Sequence, residues 1–327
     1  MDAERHIVRV DGAVSNILEL TVSQIQEDFQ QHEVVCALQC AGNRRHTMRT
    51  LLKEVDGIDW GDGAVMNCRW RGPRLRDVLN KAGIQIPKGQ KAHVAFACFQ
   101  TQCQEDSWYG GSIELDRGMS VEGEVILAVE MNGKPLPVKH GYPVRIVAPG
   151  VAGARCVKWL DRITVQLAES KNFYQQHDYK ILPPEAINKE VAKKYWHTVP
   201  PVQDMPVNSV IASPQSGDTV KLPPNNLINV SGYALPSGDK GPVVKVEVST
   251  DGGKSWANAK IIDETGGRSK WSWVLWKASV KLERGSKKKI FSRAADAGGN
   301  VQCVCPQWNL RGVAYNGYGE SRDLKVV

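Results

Sequence analysis

Three prolines, Pro200, Pro201 and Pro206, fall within seven residues of the stretch KKYWHTVPPVQDMPVNS, which carries no hydrophobic periodicity. Proline fixes φ and removes a backbone donor, so neither a helix nor a central strand continues through such a segment. The chain is therefore expected to fold as two bodies: residues 1–195, a linker at 196–206, and residues 207–327. The 327-residue length agrees with that division, since a domain averages ~150 residues. The two parts also differ in content. All seven histidines lie at or before His197, and six of the eight cysteines lie at or before Cys156. Chemistry is accordingly expected in the first part.

Helix and strand signals are mixed in the first part. Ser23–Gln31 reads as a short helix after Thr21, and His32–Gln39 as a buried strand. Pro73–Ala82 has helical spacing with proline in the first turn. Val94–Phe99, Val125–Met131 and Val144–Val147 read as strands. This part is α+β. The second part gives strand signals at short intervals, over Leu227–Tyr233, Val243–Thr250, Trp271–Trp276, Ile290–Ala294 and Trp308–Val313, with turn clusters between them. Ser249–Ser255 resembles a hairpin with Asp-Gly in its turn. Trp271 and Trp273 are expected on one face of a strand, as sandwich core or interface. The pattern suggests an all-β sandwich of immunoglobulin-like type.

Composition excludes several classes. Apolar residues at 42% and charged residues at 24% are globular values, which removes disordered and collagen-like chains. A net charge of +7 favours anionic ligands but is too small to argue for nucleic acid. No apolar run reaches the ~18 residues a membrane helix needs, and charges stand in MDAERHIVRVDG where a signal peptide would be apolar. The thiols are expected to be reduced and the protein soluble and intracellular. No CxxC or HExxH motif occurs, which argues against zinc. A thiol-redox pair of Cys36 and Cys40 is disfavoured, because an i,i+4 separation along a strand spans ~13 Å.

The most informative stretch is CALQCAGNRR, Cys36 to Arg45. A β-rich run ends at Cys40, a tight Ala-Gly-Asn turn follows, and then two arginines. Positive charge beside a thiol favours the thiolate, which is a nucleophile or a ligand for a soft or high-valent metal. A cysteine in an ordinary turn with two surface arginines is the other reading. In KHGYPVRIVAPGVAGARCVKWL, Lys139 to Leu160, His140 and Arg145 flank a turn that leads into a strand. A glycine-containing loop with Arg155 and Lys158 follows; these cations could hold a phosphate, or the loop could simply connect strands. By themselves, Tyr179 in HDYK and Arg311 in WNLRGV read as packing and as an ion-pair partner.

Taken together, these residues resemble the sulfite oxidase family of molybdenum enzymes. The matching segments are LQCAGNRR (38–45), GIDW (57–60), GPRLRDVL (72–79), YGGSI (109–113), VEMNGKPLP (129–137), HGYPVR (140–145), PGVAGARCVKWL (149–160), HDYK (177–180), TDGGKSW (250–256) and WNLRGV (308–313), in the family's order. The resemblance implies an α+β molybdopterin-binding domain followed by an immunoglobulin-like dimerisation domain, and hence a homodimer. It implies that Cys40 is the thiolate ligand of molybdenum in a Mo-molybdopterin cofactor. His140, Arg145 and Cys156–Val157–Lys158 would hold the pterin and its phosphate. Arg45, Trp60, Tyr179 and Arg311 would form the pocket for sulfite, which is oxidised to sulfate by oxo transfer from Mo(VI). A dianion suits the planar, permanently charged guanidinium. In the related nitrate reductases the position matching Arg311 carries Met within a WNxMGMMN-like stretch, so sulfite is favoured over nitrate.

Two departures from the family are expected to matter. An Arg-Asn-His segment precedes, in the family, the strand represented here by HIVRVDG, and the sequence starts after it. On the resemblance, that segment supplies a substrate-binding arginine and pterin contacts, which leaves an inactive truncated paralogue serving as a dimeric binding module as an alternative. FQTQCQED (99–106) also departs, with Thr101 near where an Asp contacts the pterin. No haem is expected in this chain, so electrons would pass to oxygen or to a separate carrier such as cytochrome c. Cytosol, mitochondrial intermembrane space and peroxisome are not distinguished.

Overall fold

A computed structural model describes residues 2–87, 89–262 and 269–327. The chain forms two compact units. The first takes residues up to Gln203 together with Trp308–Val313, and the second takes Asp204–Gln307 and Ala314–Val327. Within the proline-rich stretch, Val202 belongs to the first unit and Met205 to the second, and both are buried.

The first unit is built on a five-stranded mixed sheet in the order Leu18–Thr21, Ile7–Gly12, Arg162–Gln166, His93–Cys98, Tyr109–Glu114. Only the Ile7–Gly12 and Arg162–Gln166 pair is parallel. Val8, Val10, Val94, Phe96 and Ile163 are fully enclosed, as expected when alternate residues face a core. The helix Leu75–Ala82 buries Leu75, Val78, Leu79 and Ala82, one face at helical spacing, and ends on Gly83 in the left-handed region. Pro73 closes the preceding strand, Val65–Pro73, rather than opening this helix. The helix after Thr21 is shorter than the sequence suggests, Val22–Glu27. Thr21 caps it, and the Gln31 amide binds the carbonyls of Ile25 and Phe29, which ends it early.

A second sheet joins Gln31–Gln39, Val65–Pro73, Glu130–Met131 and Lys134–Pro135. Gln31–Gln39 pairs with Val65–Pro73 along its whole length, so its last residue delivers Cys40 at a fixed point. Arg145–Val147 pairs with Ile126–Ala128 in a separate ribbon.

The second unit is a β-sandwich. One sheet orders Asn208–Ser213, Leu227–Leu235, Val274–Lys281 and Lys260–Ile262; the other orders Thr219–Val220, Gly319–Val326, Gly285–Asp296, Val243–Ser249 and Ala257–Asn258. Val230, Val246, Trp276, Ile290 and Leu324 make its core. Ser249–Ser255 is the loop of a real hairpin, in which the Asp251 carboxylate accepts from the backbone N–H groups of Lys254 and Ser255.

Two expectations fail here. Trp271 and Trp273 precede the strand Val274–Lys281 and share no strand face; Ser269 folds this segment into a turn by accepting from the Trp271 N–H. Trp308–Val313 is no strand either. The Asn309 side chain bonds both the N–H and the C=O of Val313 and curls the segment.

Candidate functional site

Within the first unit a cavity of about 670 Å³ is lined by Cys40, Arg45, Trp60, Tyr179 and Arg311, five residues spread over most of the sequence. The turn after Gln31–Gln39 is laced to residues 60–64. The N–H groups of Cys40, Arg44 and His46 donate to the carbonyls of Ala64, Gly61 and Trp60, each at 2.9 Å. The Asn43 side-chain oxygen accepts from the Ala64 N–H at 3.0 Å. Trp60, 44% exposed, is thereby carried to the cavity's edge. Cys40 is half-buried, and its Sγ lies 3.4 Å from the Gly42 N–H.

Arg45 begins the helix Arg45–Leu51 and is buried. Its Nε donates to the Arg311 carbonyl at 2.9 Å and its Nη1 to the Ile58 carbonyl at 2.8 Å, leaving Nη2 as the donor not spent on backbone. Three glycines make room for this side chain. A Cβ on Gly42, Gly57 or Gly312 would stand 2.6, 2.8 or 2.7 Å from an Arg45 atom. Burial pulls the Arg45 guanidinium below its ordinary value; Cys40 opposes this and Arg311 adds to it.

Arg311 is not an open cation. Its Nη1 is 2.6 Å from the Asp56 carboxylate, and its Nη2 is paired with Asp178. Asp56 is further tied to the Leu310 carbonyl through its N–H. Neither carboxylate is singled out by local sequence: Asp178 lies within HDYK, and Asp56 immediately precedes GIDW.

Tyr179 follows a single π turn, Tyr174–Asp178. Its phenol is raised above the ordinary value, first by burial and then by Asp178 and Cys40, with Arg155 and Arg45 opposing. It is a protonated hydrogen-bond donor over the neutral range. His177 and His197 also line the cavity, with ring centroids 6.1 Å apart. His177 is depressed by burial, then by His197 and Lys180.

The other expected group lies elsewhere in the unit. Arg145 gathers it: Nη1 donates to the His140 carbonyl at 2.8 Å and Nη2 to the Cys156 carbonyl at 2.9 Å, with Trp70 5.1 Å beneath. Val157 is buried and its carbonyl accepts from Ile146. Lys158 reaches the Lys139 carbonyl at 3.0 Å. His140 is depressed by burial, then by Arg145, Lys139 and Lys158. Lys158 is likewise depressed by burial and then by Arg145. Like charges gathered in this way suit an anionic ligand. Arg155 departs from the sequence reading. It has no exposed surface, and its Nε and Nη1 donate to the carbonyls of Val202 and Tyr174, so it is closed off from a phosphate. Gly153 brings the loop against the Cys40 segment, since a Cβ there would stand 3.1 Å from the Gln39 carbonyl.

Among the described residues, no group of three or more His, Cys, Asp or Glu side chains is placed to share a metal ion. A metal held by the Cys40 thiolate would take its other ligands from a bound group. A half-buried thiol lining a cavity beside Arg45, on a unit that also gathers His140, Arg145 and Lys158, fits a phosphate-bearing cofactor whose metal accepts a thiolate.

An α+β unit with this arrangement, joined in sequence to a β-sandwich, is what two family models of molybdopterin oxidoreductases match. The family model for the oxidoreductase molybdopterin binding domain matches residues 1–174, and that for the Mo-co oxidoreductase dimerisation domain matches 199–321. The chain belongs to the sulfite oxidase family. It is 42% identical to the mitochondrial sulfite oxidase of Homo sapiens over 96% of this chain and 56% of that protein. Identity to the sulfite oxidase of Arabidopsis thaliana is 37%, over 95% of this chain and 80% of that protein. A nitrate reductase [NADH] from Ulva prolifera matches at 32% over 98% of this chain and 38% of its own length. The chain thus spans about half the length of the animal relatives it matches. The fold is also that of the sulfane dehydrogenase SoxCD from Paracoccus pantotrophus, with a TM-score of 0.74 and 24% identity over 99% of this chain and 79% of that one. Among the described residues no helix is long and apolar enough to cross a membrane.

Proposed function

We propose that this chain binds Mo-molybdopterin and oxidises sulfite to sulfate. The observation that carries the reading is the convergence of Cys40, Arg45, Trp60, Tyr179 and Arg311 on one cavity. Sulfite oxidases at 37–42% identity, against 32% for the nitrate reductase, support the choice of substrate. Cys40 is the metal ligand. Arg145 shapes the site that holds the pterin, and His140 and Lys158, with the Cys156–Val157 backbone, complete it. The cofactor supplies oxo transfer and takes up two electrons when bound.

The chain's own residues do the rest. Arg45 presents Nη2 to the oxyanion. Arg311 is charge-compensated by Asp56 and Asp178, so an entering dianion competes with Asp178 for it. That competition limits how tightly the product, a dianion too, is held. Tyr179 keeps its proton and donates a hydrogen bond to an oxyanion oxygen, while Trp60 covers the mouth. Electrons leave to oxygen or to a separate carrier such as cytochrome c, and the second unit serves a homodimer. Protein produced in a host that makes the pterin should carry about one molybdenum per chain and reduce ferricyanide when given sulfite. Full metal loading with nitrate reduction and no sulfite turnover would reverse the substrate assignment. Folded protein without metal would support an inactive binding module instead.

A further inference from the structure

Arg155 lies outside the cavity yet is tied to both sides of the tyrosine that enters it. It ends the 3-10 turn Gly153–Arg155 and has no exposed surface. Its Nη1 donates to the Tyr174 carbonyl at 3.0 Å, at the start of the π turn that leads to Tyr179. Its Nε donates to the Val202 carbonyl at 3.3 Å, and the Val202 N–H in turn donates to the Tyr179 carbonyl at 2.8 Å. The guanidinium thus closes a ring of contacts running from Tyr174 through Tyr179 and Val202 back to itself. Its centre stands 5.8 Å from the centroid of the Tyr179 ring. Nη2 is buried and has no hydrogen-bond partner among the described residues.

A buried, incompletely satisfied guanidinium is an expensive way to hold two carbonyls, and such groups call for an explanation. A neutral amide could bind carbonyls at lower desolvation cost. What it could not supply is a permanent positive charge facing the tyrosine ring. We infer that Arg155 is the positioning residue for Tyr179: it fixes the π turn and the tyrosine backbone, and holds a cation behind the ring. The inference rests on the proposed sulfite reading for its kinetic consequence but not for its geometry. The charged and titratable groups around the phenol are Asp178 and Cys40, which disfavour its ionisation, and Arg45 and Arg155, which favour it. Around Arg155 itself stand Tyr109, Tyr179, Glu169 and Asp178.

The test uses Arg155→Met, Arg155→Lys and Tyr179→Phe, singly and combined. In protein labelled with 3-fluorotyrosine, the ¹⁹F resonance of position 179 is assigned by its loss in Tyr179→Phe. It should shift and broaden in Arg155→Met and return most of the way in Arg155→Lys, which keeps the cation. In the holoenzyme, Arg155→Met should lower kcat about 10-fold with the sulfite KM changed less than about 3-fold, a loss typical of a misplaced group. Adding Arg155→Met to Tyr179→Phe should cost less than about twofold more, because the two act as one unit. Losses that multiply in the double variant, or an unmoved resonance, overturn the inference. If Arg155→Met does not fold, Arg155→Gln takes its place: it can bind the carbonyls but lacks the charge, so the resonance should still shift, and an unmoved one overturns the inference. A wild-type holoenzyme that ignores sulfite would sink the substrate reading, and the resonance would still judge Arg155.

Discussion

Gly42→Ala tests the Arg45 cradle with little else disturbed. The new Cβ would lie 2.6 Å from Nη2 and 2.7 Å from Cζ of Arg45, whereas ordinary contact begins near 3.4 Å. The guanidinium must retreat by the difference, 3.4 − 2.6, or about 0.8 Å. It cannot do so freely, because Nε and Nη1 are pinned to the carbonyls of Arg311 and Ile58. Weakening one hydrogen bond from a charged donor costs about 1–2 kcal/mol, and shifting a substrate-binding group by nearly 1 Å costs ~10–100-fold in kcat/KM. The expected result is kcat/KM for sulfite reduced ~10–100-fold, chiefly through KM, together with a melting temperature lower by roughly 2–4 °C. Ferricyanide-coupled steady-state kinetics with metal analysis, and a thermal melt, measure both. A variant with full molybdenum and kcat/KM within about twofold of wild type would refute the steric argument. Gly312→Ala is a harsher companion: its φ of +55° adds backbone strain, and its Cβ would meet Val55 as well as Arg45.

Cys40→Ser should fold with unchanged circular dichroism and melting temperature, yet hold no molybdenum and turn over no sulfite; retained turnover would remove Cys40 as the metal ligand. Arg311→Met should raise the sulfite KM ~10–100-fold with metal content preserved, and adding Asp178→Asn should recover stability lost by leaving that carboxylate unpaired. The pH dependence of stability should show a plateau. His32, His140 and His177 are all depressed by burial below the ordinary 6.5, so the unfolded chain binds protons first and stability falls as pH drops below about that value. Cys36, Cys68, Cys98, Cys103 and Cys156 are raised by burial above 9.0, so the unfolded chain loses protons first and stability falls above it. Denaturant midpoints measured across pH 5–10 check this, and a midpoint still rising below pH 6 would contradict the histidine assignments.

Local signals decided much of what is seen. The β-rich run in HEVVCALQ and the turn chemistry of Ala-Gly-Asn placed Cys40 at a strand's end, because strand preference and turn propensity are properties of neighbours in sequence. The helical face of Leu75–Ala82 and the short-strand rhythm of the sandwich were legible for the same reason. Trp308–Val313 was not. Its alternate Trp and Leu imitate a strand, while the Asn309 side chain and the left-handed Gly312 make it a turn that belongs with the first unit.

The sequence alone determined which residues could carry chemistry and on which segments they ride, since thiol, guanidinium, imidazole and phenol are fixed by residue type. Only the tertiary structure decided how those charges are spent. Arg311 meets Asp56 and Asp178, Arg145 turns its donors inward to carbonyls, and Arg155 is enclosed behind Tyr179. A side chain's charge is set by its covalent structure, but its partners and its exposure depend on segments more than a hundred residues away, and no local pattern encodes that distance.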